Sequence, residues 1–227
     1  MTEFMDKMIG RVLEKLDLLG IGENTLVIFL GDNGTQVTVH SRFRGGDYVG
    51  GKGTHTARGT HVPLIVRWPK GGAKGLECAD LVNSTDFLPT ICEAAGIEVP
   101  AGLQIDGRSF FPQLTGETGR PREWTYCWYS RGGGAEPQFE YAMTPRHKLY
   151  RDGRFFDLIQ DPFEEQPLAM DVLATDQAAE AGLLGGVLEQ FAEARPEHLR
   201  VEFPPIQIPG KIGNRADKKK KKPSFQE

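Results

Sequence analysis

The chain has 227 residues, a formal net charge of −4 at neutral pH and 39% hydrophobic residues. That length allows one domain and a smaller appendage, and the acidic balance argues against nucleic-acid binding, which favours a basic domain. No apolar run approaches the ~18 residues needed to span a membrane, and the three cysteines, odd in number and widely spaced, match neither a metal-ligand cluster nor a disulfide framework. Met1 to Asp6 lack a signal-peptide shape, which says nothing of any sequence upstream.

Residues 3 to 19 predict a core-packing amphipathic helix, with Met5, Met8, Ile9, Val12, Leu16 and Leu19 at three- and four-residue steps and Gly20 ending it. Residues 25 to 30 predict a strand buried on both faces. Asp32 and Asn33 follow at its carboxyl end, where open α/β sheets place ligand sites. A carboxylate beside a carboxamide offers hard oxygen donors, which suit calcium or magnesium. Residues 34 to 60 hold seven glycines and no sustained periodicity, as a long functional loop does. Within it Lys52, between Gly51 and Gly53, is placed to meet an anion. His40 and His55 share the loop, each either a solvated side chain or a proton donor near neutral pH.

A second buried strand is expected over 62 to 67. A helix is expected near 85 to 95, with Ser84 or Thr85 as N-cap, Pro89 in the first turn and Gly96 as C-cap. This helix–strand alternation predicts α/β layering with a mostly parallel sheet. From about residue 120 the texture turns aromatic and β-favouring. Trp124 to Tyr129, Tyr141 to Met143 and His147 to Arg151 read as strands, and Asp152-Gly153 as the turn into a strand at 154 to 158. These strands suggest a small antiparallel sheet, and a helix is expected over 176 to 194, weakened by Gly182, Gly185 and Gly186. From 204 the chain is Pro-rich, then polar, and Lys218 to Lys222 predict a solvated, disordered tail.

Five short stretches, in order, resemble the carboxyl-terminal part of the sulfatase family, within the alkaline-phosphatase-like superfamily. They are Leu26 to Gly34 with Gly51-Lys52-Gly53-Thr54; Val62 to Pro69; Asp86-Phe87-Leu88-Pro89-Thr90 with Ala94 to Ile97; Asp106-Gly107-Arg108-Ser109 with Leu114-Thr115-Gly116; and Phe156-Asp157-Leu158 with Asp161-Pro162-Phe163-Glu164. Each is weak alone, but their order over residues 5 to 170 makes chance a poor explanation. The resemblance implies that 1–119 form the second half of the α/β catalytic domain, 120–203 a small sheet-and-helix subdomain and 204–227 a tail. It also implies that Asp32 and Asn33 bind a divalent cation, usually calcium, with magnesium the alternative, and that Lys52 contacts the sulfate. Where the family pattern reads Glu-Gly-Gly-x-Arg-Val-Pro, this chain has Ala57, Arg58 and His61 in place of Glu, the first Gly and Arg. Any ion pair between that Glu and Arg is lost.

The family's nucleophile is a formylglycine made from the cysteine of a Cys-x-Pro/Ala-x-Arg motif, expected in a parent enzyme and not found in this chain. Cys127-Trp128-Tyr129-Ser130-Arg131 is a near-match with Tyr at the third position, and lies after the metal motif instead of before it. We read it as coincidence in an aromatic strand. The chain is therefore expected to contribute metal and sulfate contacts to a sulfuric ester hydrolase acting on a small sulfate ester or sulfated glycan, and to be inactive alone. Two alternatives are a phosphate or phosphonate ester hydrolase of the same superfamily and a noncatalytic truncated fragment. A parent would be periplasmic, secreted or lysosomal, and a half-sheet with open edges favours a homo-oligomer or a partner chain.

Overall fold

The computed structural model describes residues 1–43, 45–130, 138–194, 197–199 and 206–207, with the side chain of residue 138 left aside. The tail expected from 204, including its lysine run, lies outside the described residues apart from 206 and 207.

Helix α1 spans Thr2–Leu18, as its periodicity predicts, but none of its residues is buried. Strand β1, Val27–Leu30, is half-buried instead of buried on both faces. It pairs with β4, Leu64–Arg67, in antiparallel register from Val27 opposite Arg67 to Leu30 opposite Leu64. Between α1 and this pair runs an apolar groove of about 520 Å³, lined among others by Met5, Ile9, Leu13, Val27, Phe29 and Ile65.

The mostly parallel sheet is not found: every pairing among the described strands is antiparallel. Parallel neighbours need a crossover of a dozen residues or more, usually a helix. Helices do flank the two strands, α1 before β1 and α3 after β4, but the one helix between them among the described residues is a single turn over Ala57–Thr60, too short for a crossover. The intervening chain doubles back, and the Gly31 amide donates to the Pro63 carbonyl at 3.0 Å, extending the antiparallel pair.

The segment 34 to 60 is not structureless. It forms a hairpin of β2, His40–Phe43, and β3, Gly46–Val49, and then α2, a single turn over Ala57–Thr60. Gly45 supplies the positive φ, +84°, that a tight hairpin turn requires.

Helix α3, Phe87–Ala94, is preceded by a 3-10 turn over Ser84–Asp86. Its cap is Asn83, one residue before the two expected. The Thr85 amide donates to Asn83 Oδ1 at 3.2 Å and the Asn83 amide to Asp86 Oδ2 at 2.8 Å, a reciprocal capping box. Gly96, at φ +68°, closes the helix as expected. The short helix α4, Phe111–Thr115, has no counterpart in the sequence reading.

Two of the short motifs interlock here. The Asp86 carboxylate is buried, accepts from the Arg108 amide at 2.7 Å and pairs with the Arg122 guanidinium. Thr90 Oγ1 donates to the Asp86 carbonyl at 2.7 Å and accepts from the Phe110 amide at 3.0 Å. A Cβ on Gly107 would collide with the Thr85 carbonyl, so the Asp-Gly-x-Ser loop can lie this close only with glycine there.

Strands β5, Thr125–Ser130, β6, Gln138–Met143, β7, His147–Tyr150, and β8, Phe155–Asp157, form one sheet in that order. Helix α5, Thr175–Gln190, covers one face, burying Ala142, Leu149 and Phe155 against Ala181, Leu184, Val187 and Leu188. The period of two turns Lys148 and Tyr150 to the opposite face, with Tyr141 and Phe156.

Asp86→Ala would leave the Arg122 guanidinium, 10% exposed, without its carboxylate. Urea unfolding is expected to show a loss of about 3–5 kcal/mol. Asp106→Ala, at an exposed residue that meets Arg122 through its backbone carbonyl, should stay within about 0.5 kcal/mol.

Candidate functional site

The Asp32-Asn33-Gly34 turn follows β1 directly. Asp32 is exposed, Asn33 is half-buried, and the Asn33 amide donates to Asp32 Oδ1 at 3.0 Å. The Lys52 amide donates to the Thr35 carbonyl at 2.9 Å, two residues beyond Asn33, and the Gly34 amide donates to the Gly59 carbonyl at 2.9 Å. Three segments, 31–36, 50–54 and 55–60, are thereby drawn into one loop cluster.

Glycine makes that approach feasible. A Cβ on Gly34 would strike the Arg58 carbonyl, one on Gly50 the Gln36 and Thr35 carbonyls, and one on Gly59 the Thr54 and Gly51 carbonyls. The glycines read from sequence as loop texture are the contact points of three backbones. The Lys52 side chain is exposed above this cluster. His40 is exposed at the start of β2, opposite Val49, at the foot of the hairpin that joins the Asp32-Asn33 turn to Lys52.

His55 is neither solvated nor free to swing. Its ring stacks on Phe139 at 3.8 Å between centroids and meets Tyr150 edge-on at 5.1 Å. Among the described residues its Nδ1 is buried without a hydrogen-bond partner. Burial, with the Lys148 ammonium close by, lowers its pKa to about 4.

The sequence reading assigned no role to Lys148 or Glu164, and both prove central to how the cluster is held. Lys148 Nζ donates to the His55 carbonyl at 2.6 Å and to Glu164 Oε1 at 3.0 Å. It also lies 3.9 Å from the centre of the Tyr141 ring. Glu164 Oε1 further accepts from the Ala57 amide at 3.2 Å, and Oε2 from the Tyr150 hydroxyl. The Arg58 guanidinium sits 4.9 Å over the Phe163 ring. Burial pushes the Lys148 ammonium down from its usual value, while the Glu164 carboxylate beside it pulls the other way. The signal was present: alternation puts Lys148 and Tyr150 on one face of a central strand, and a buried ammonium needs a carboxylate partner.

The donors at the head of the site suit a hard cation in kind but fall short in number. Asp32 and Asn33 offer two side chains against the six to eight oxygens that calcium takes. Among the described residues no three histidine, cysteine or acidic side chains gather as a metal cluster. Cys127 lies within β5, and burial raises its thiol pKa, the reverse of an activated cysteine. Arg131 of the near-match lies outside the described residues.

Residues 1–97 match the family model for sulfatases, and residues 55–181 match the model described as N-sulphoglucosamine sulphohydrolase, C-terminal. Steryl-sulfatase of Mus musculus is 33% identical over 203 residues, covering 74% of this chain and 32% of that protein. Arylsulfatase A of Homo sapiens is 31% identical over 212 residues, covering 86% of this chain and 40% of that protein. The solved structure of a 2-O GAG sulfatase superposes with a TM-score of 0.64 at 25% identity, over 90% of this chain and 48% of its own. A protein solved in complex with its substrate, D-glucosamine-2-N,6-O-disulfate, superposes with a TM-score of 0.60 at 25% identity, over 83% of this chain and 38% of its own. The chain spans about a third to a half of the length of these proteins. The second family model alone takes in more than half of the chain, so the chain belongs to the sulfatase family and corresponds to its carboxyl-terminal portion.

Proposed function

We propose that the loop cluster binds the sulfate group of a sulfate ester for hydrolysis, with Lys52 as the anion contact and Asp32 and Asn33 as two oxygen donors to a divalent cation. The observation that supports this best is the Lys52 amide resting on the Thr35 carbonyl, beside the Asp32-Asn33 turn. Two bonds, Lys52 to Thr35 and Gly34 to Gly59, tie an ammonium and a carboxylate-amide pair to one backbone cluster. An exposed lysine on a short glycine-flanked loop presents a compact charge with three donors to nonbridging oxygens. Those donors favour the charge that grows on these oxygens as the ester bond breaks.

Calcium, or magnesium in its place, would act there as a Lewis acid and orient the ester. The remaining cation ligands and the formylglycine nucleophile would come from outside these residues. Substrates of the sulfated-glycan class are the first to test, because a solved relative holds a disulfated glucosamine.

In this reading His55 is a packing group and not the proton donor. A ring with a pKa of about 4, wedged between Phe139 and Tyr150, carries little proton at neutral pH and has no freedom to reach a leaving group. His40, exposed at the hairpin foot, is the better placed of the two to face substrate.

In the longer enzyme, Lys52→Ala is expected to lower kcat/KM for an aryl sulfate by about 10²–10³, the usual cost of removing one preorganised donor. The same loss appearing on a phosphate ester and not on the sulfate would reassign the reaction. For His55, proton NMR of the ring should show no titration between pH 5 and 8. Its lowered pKa means the unfolded chain binds the extra proton first as pH falls. The stabilising contribution is therefore complete above about pH 6.5 and fades toward pH 4, and Tm measured across that window should fall less in His55→Gln.

A further inference from the structure

We propose that Glu164 and Lys148 are positioning residues for the Lys52 loop, acting through segment 55–60 without touching an ester. The proposal rests on the reading of Lys52 as the sulfate contact. Their side chains are 2% and 1% exposed, so neither can meet a ligand itself. What they hold is backbone: Glu164 takes the Ala57 amide, and Lys148 takes the His55 carbonyl.

On its other side the same segment carries the site. The Gly59 carbonyl receives the Gly34 amide of the metal turn. Thr56 meets Thr54 through their hydroxyls at 3.0 Å, and the Thr54 amide and hydroxyl both donate to the Gly51 carbonyl, next to Lys52. Helix α2 is a single turn and is too short to keep its own shape, so its geometry is set by what grips it. At Gly34, Gly50, Gly51 and Gly59 backbones touch with no room for a Cβ. A shift in segment 55–60 therefore reaches Asp32 to Gly34 and Lys52 without soft side chains to absorb it. Glu164 is the one non-glycine described residue with positive φ, 59°, a conformation sustained by its three side-chain contacts. Removing that carboxylate releases the Ala57 amide, the Tyr150 hydroxyl and the Lys148 ammonium together.

The test is amide hydrogen exchange and titration with inorganic sulfate, on the full chain and on Glu164→Gln, with Lys52→Ala as reference. In Glu164→Gln the amides of Gly34 and Lys52, which do not touch residue 164, should exchange about tenfold faster, and the sulfate Kd should rise roughly tenfold. The rise at these two amides should exceed any rise in strands 141–150, which report the loss of global stability alone. Unchanged exchange at Gly34 and Lys52 with the sheet intact would overturn the proposal, because a merely structural role lowers Tm and leaves those amides alone. If Lys52→Ala leaves sulfate affinity untouched, the reading of Lys52 fails, and the exchange at Gly34 still decides whether Glu164 positions the cluster. Should Glu164→Gln not fold, Tyr150→Phe removes one bond to Glu164 and keeps the ion pair. A rise of about threefold at the same two amides then supports the proposal, and no change overturns it.

Discussion

The buried pair of Lys148 and Glu164 is the constraint on which the site depends. An ion pair taken out of water gains little net stability, because desolvation offsets the attraction. Breaking it is another matter, since one uncompensated charge is left inside at a cost of about 3–5 kcal/mol. Such a pair therefore makes one arrangement far better than its near alternatives. Here the arrangement is the docking of segment 55–60 on the four-stranded sheet, with the ammonium capping the His55 carbonyl and the carboxylate capping the Ala57 amide. The aromatic rings of Tyr141 and Tyr150 surround the ammonium and keep water away, which strengthens every bond in the set.

A second buried carboxylate uses the same device. Asp86 closes its own helix cap through the Asn83 amide, receives the Arg108 amide and pairs with Arg122. Three stretches far apart in sequence converge on one group in each case. Short motifs of this chain are in these two cases halves of one contact, with the other half elsewhere in the sequence. Asp86 with Thr90 is read by the Asp-Gly-x-Ser loop, and Glu164 is read by the glycine-rich loop beside Lys52. The Ala57 side chain offers no charge, and Glu164 holds this residue through its backbone amide.

Local elements were legible in the sequence wherever a period or a cap carried them. Helix α1, strands β1 and β4, the Gly96 cap and the hairpin from β7 to β8 follow from apolar spacing and turn residues. The β2–β3 hairpin was hidden because β2 is exposed throughout and β3 is half-buried at the adjacent Tyr48 and Val49, so neither shows alternation, although Gly45-Gly46 was a turn signal. The direction of pairing was not legible, because a buried apolar run looks alike in parallel and antiparallel neighbours. At the site, the sequence suggested Asp32, Asn33 and Lys52 by motif, and the structure brings their backbones into one cluster. Alternation could mark Lys148 as a buried ammonium in need of a carboxylate, but not Glu164 as the partner. Sixteen residues separate them, and only the sheet face and the chain reversal at Asp157 to Glu164 make them neighbours.

Burial is distributed unevenly across the fold, and this bears on the site. The sheet with α5 holds Ala142, Leu149, Phe155, Ala181, Leu184 and Leu188 wholly out of water. The first part of the chain has little such core: α1 buries none of its residues, and Ile65 on β4 is 61% exposed. Local opening costs least where apolar contact is sparse. The loops carrying Asp32, Asn33 and Lys52 hang from that sparsely packed part, yet they must hold a fixed geometry toward a charged ligand. Glycine contacts alone cannot supply the rigidity, since they bring backbones close without side-chain interlock. The order has to come from the packed sheet, and the polar route to it runs through Glu164 and Lys148. A subdomain that contributes no side chain to the ligand can in this way still decide how well the ligand is held.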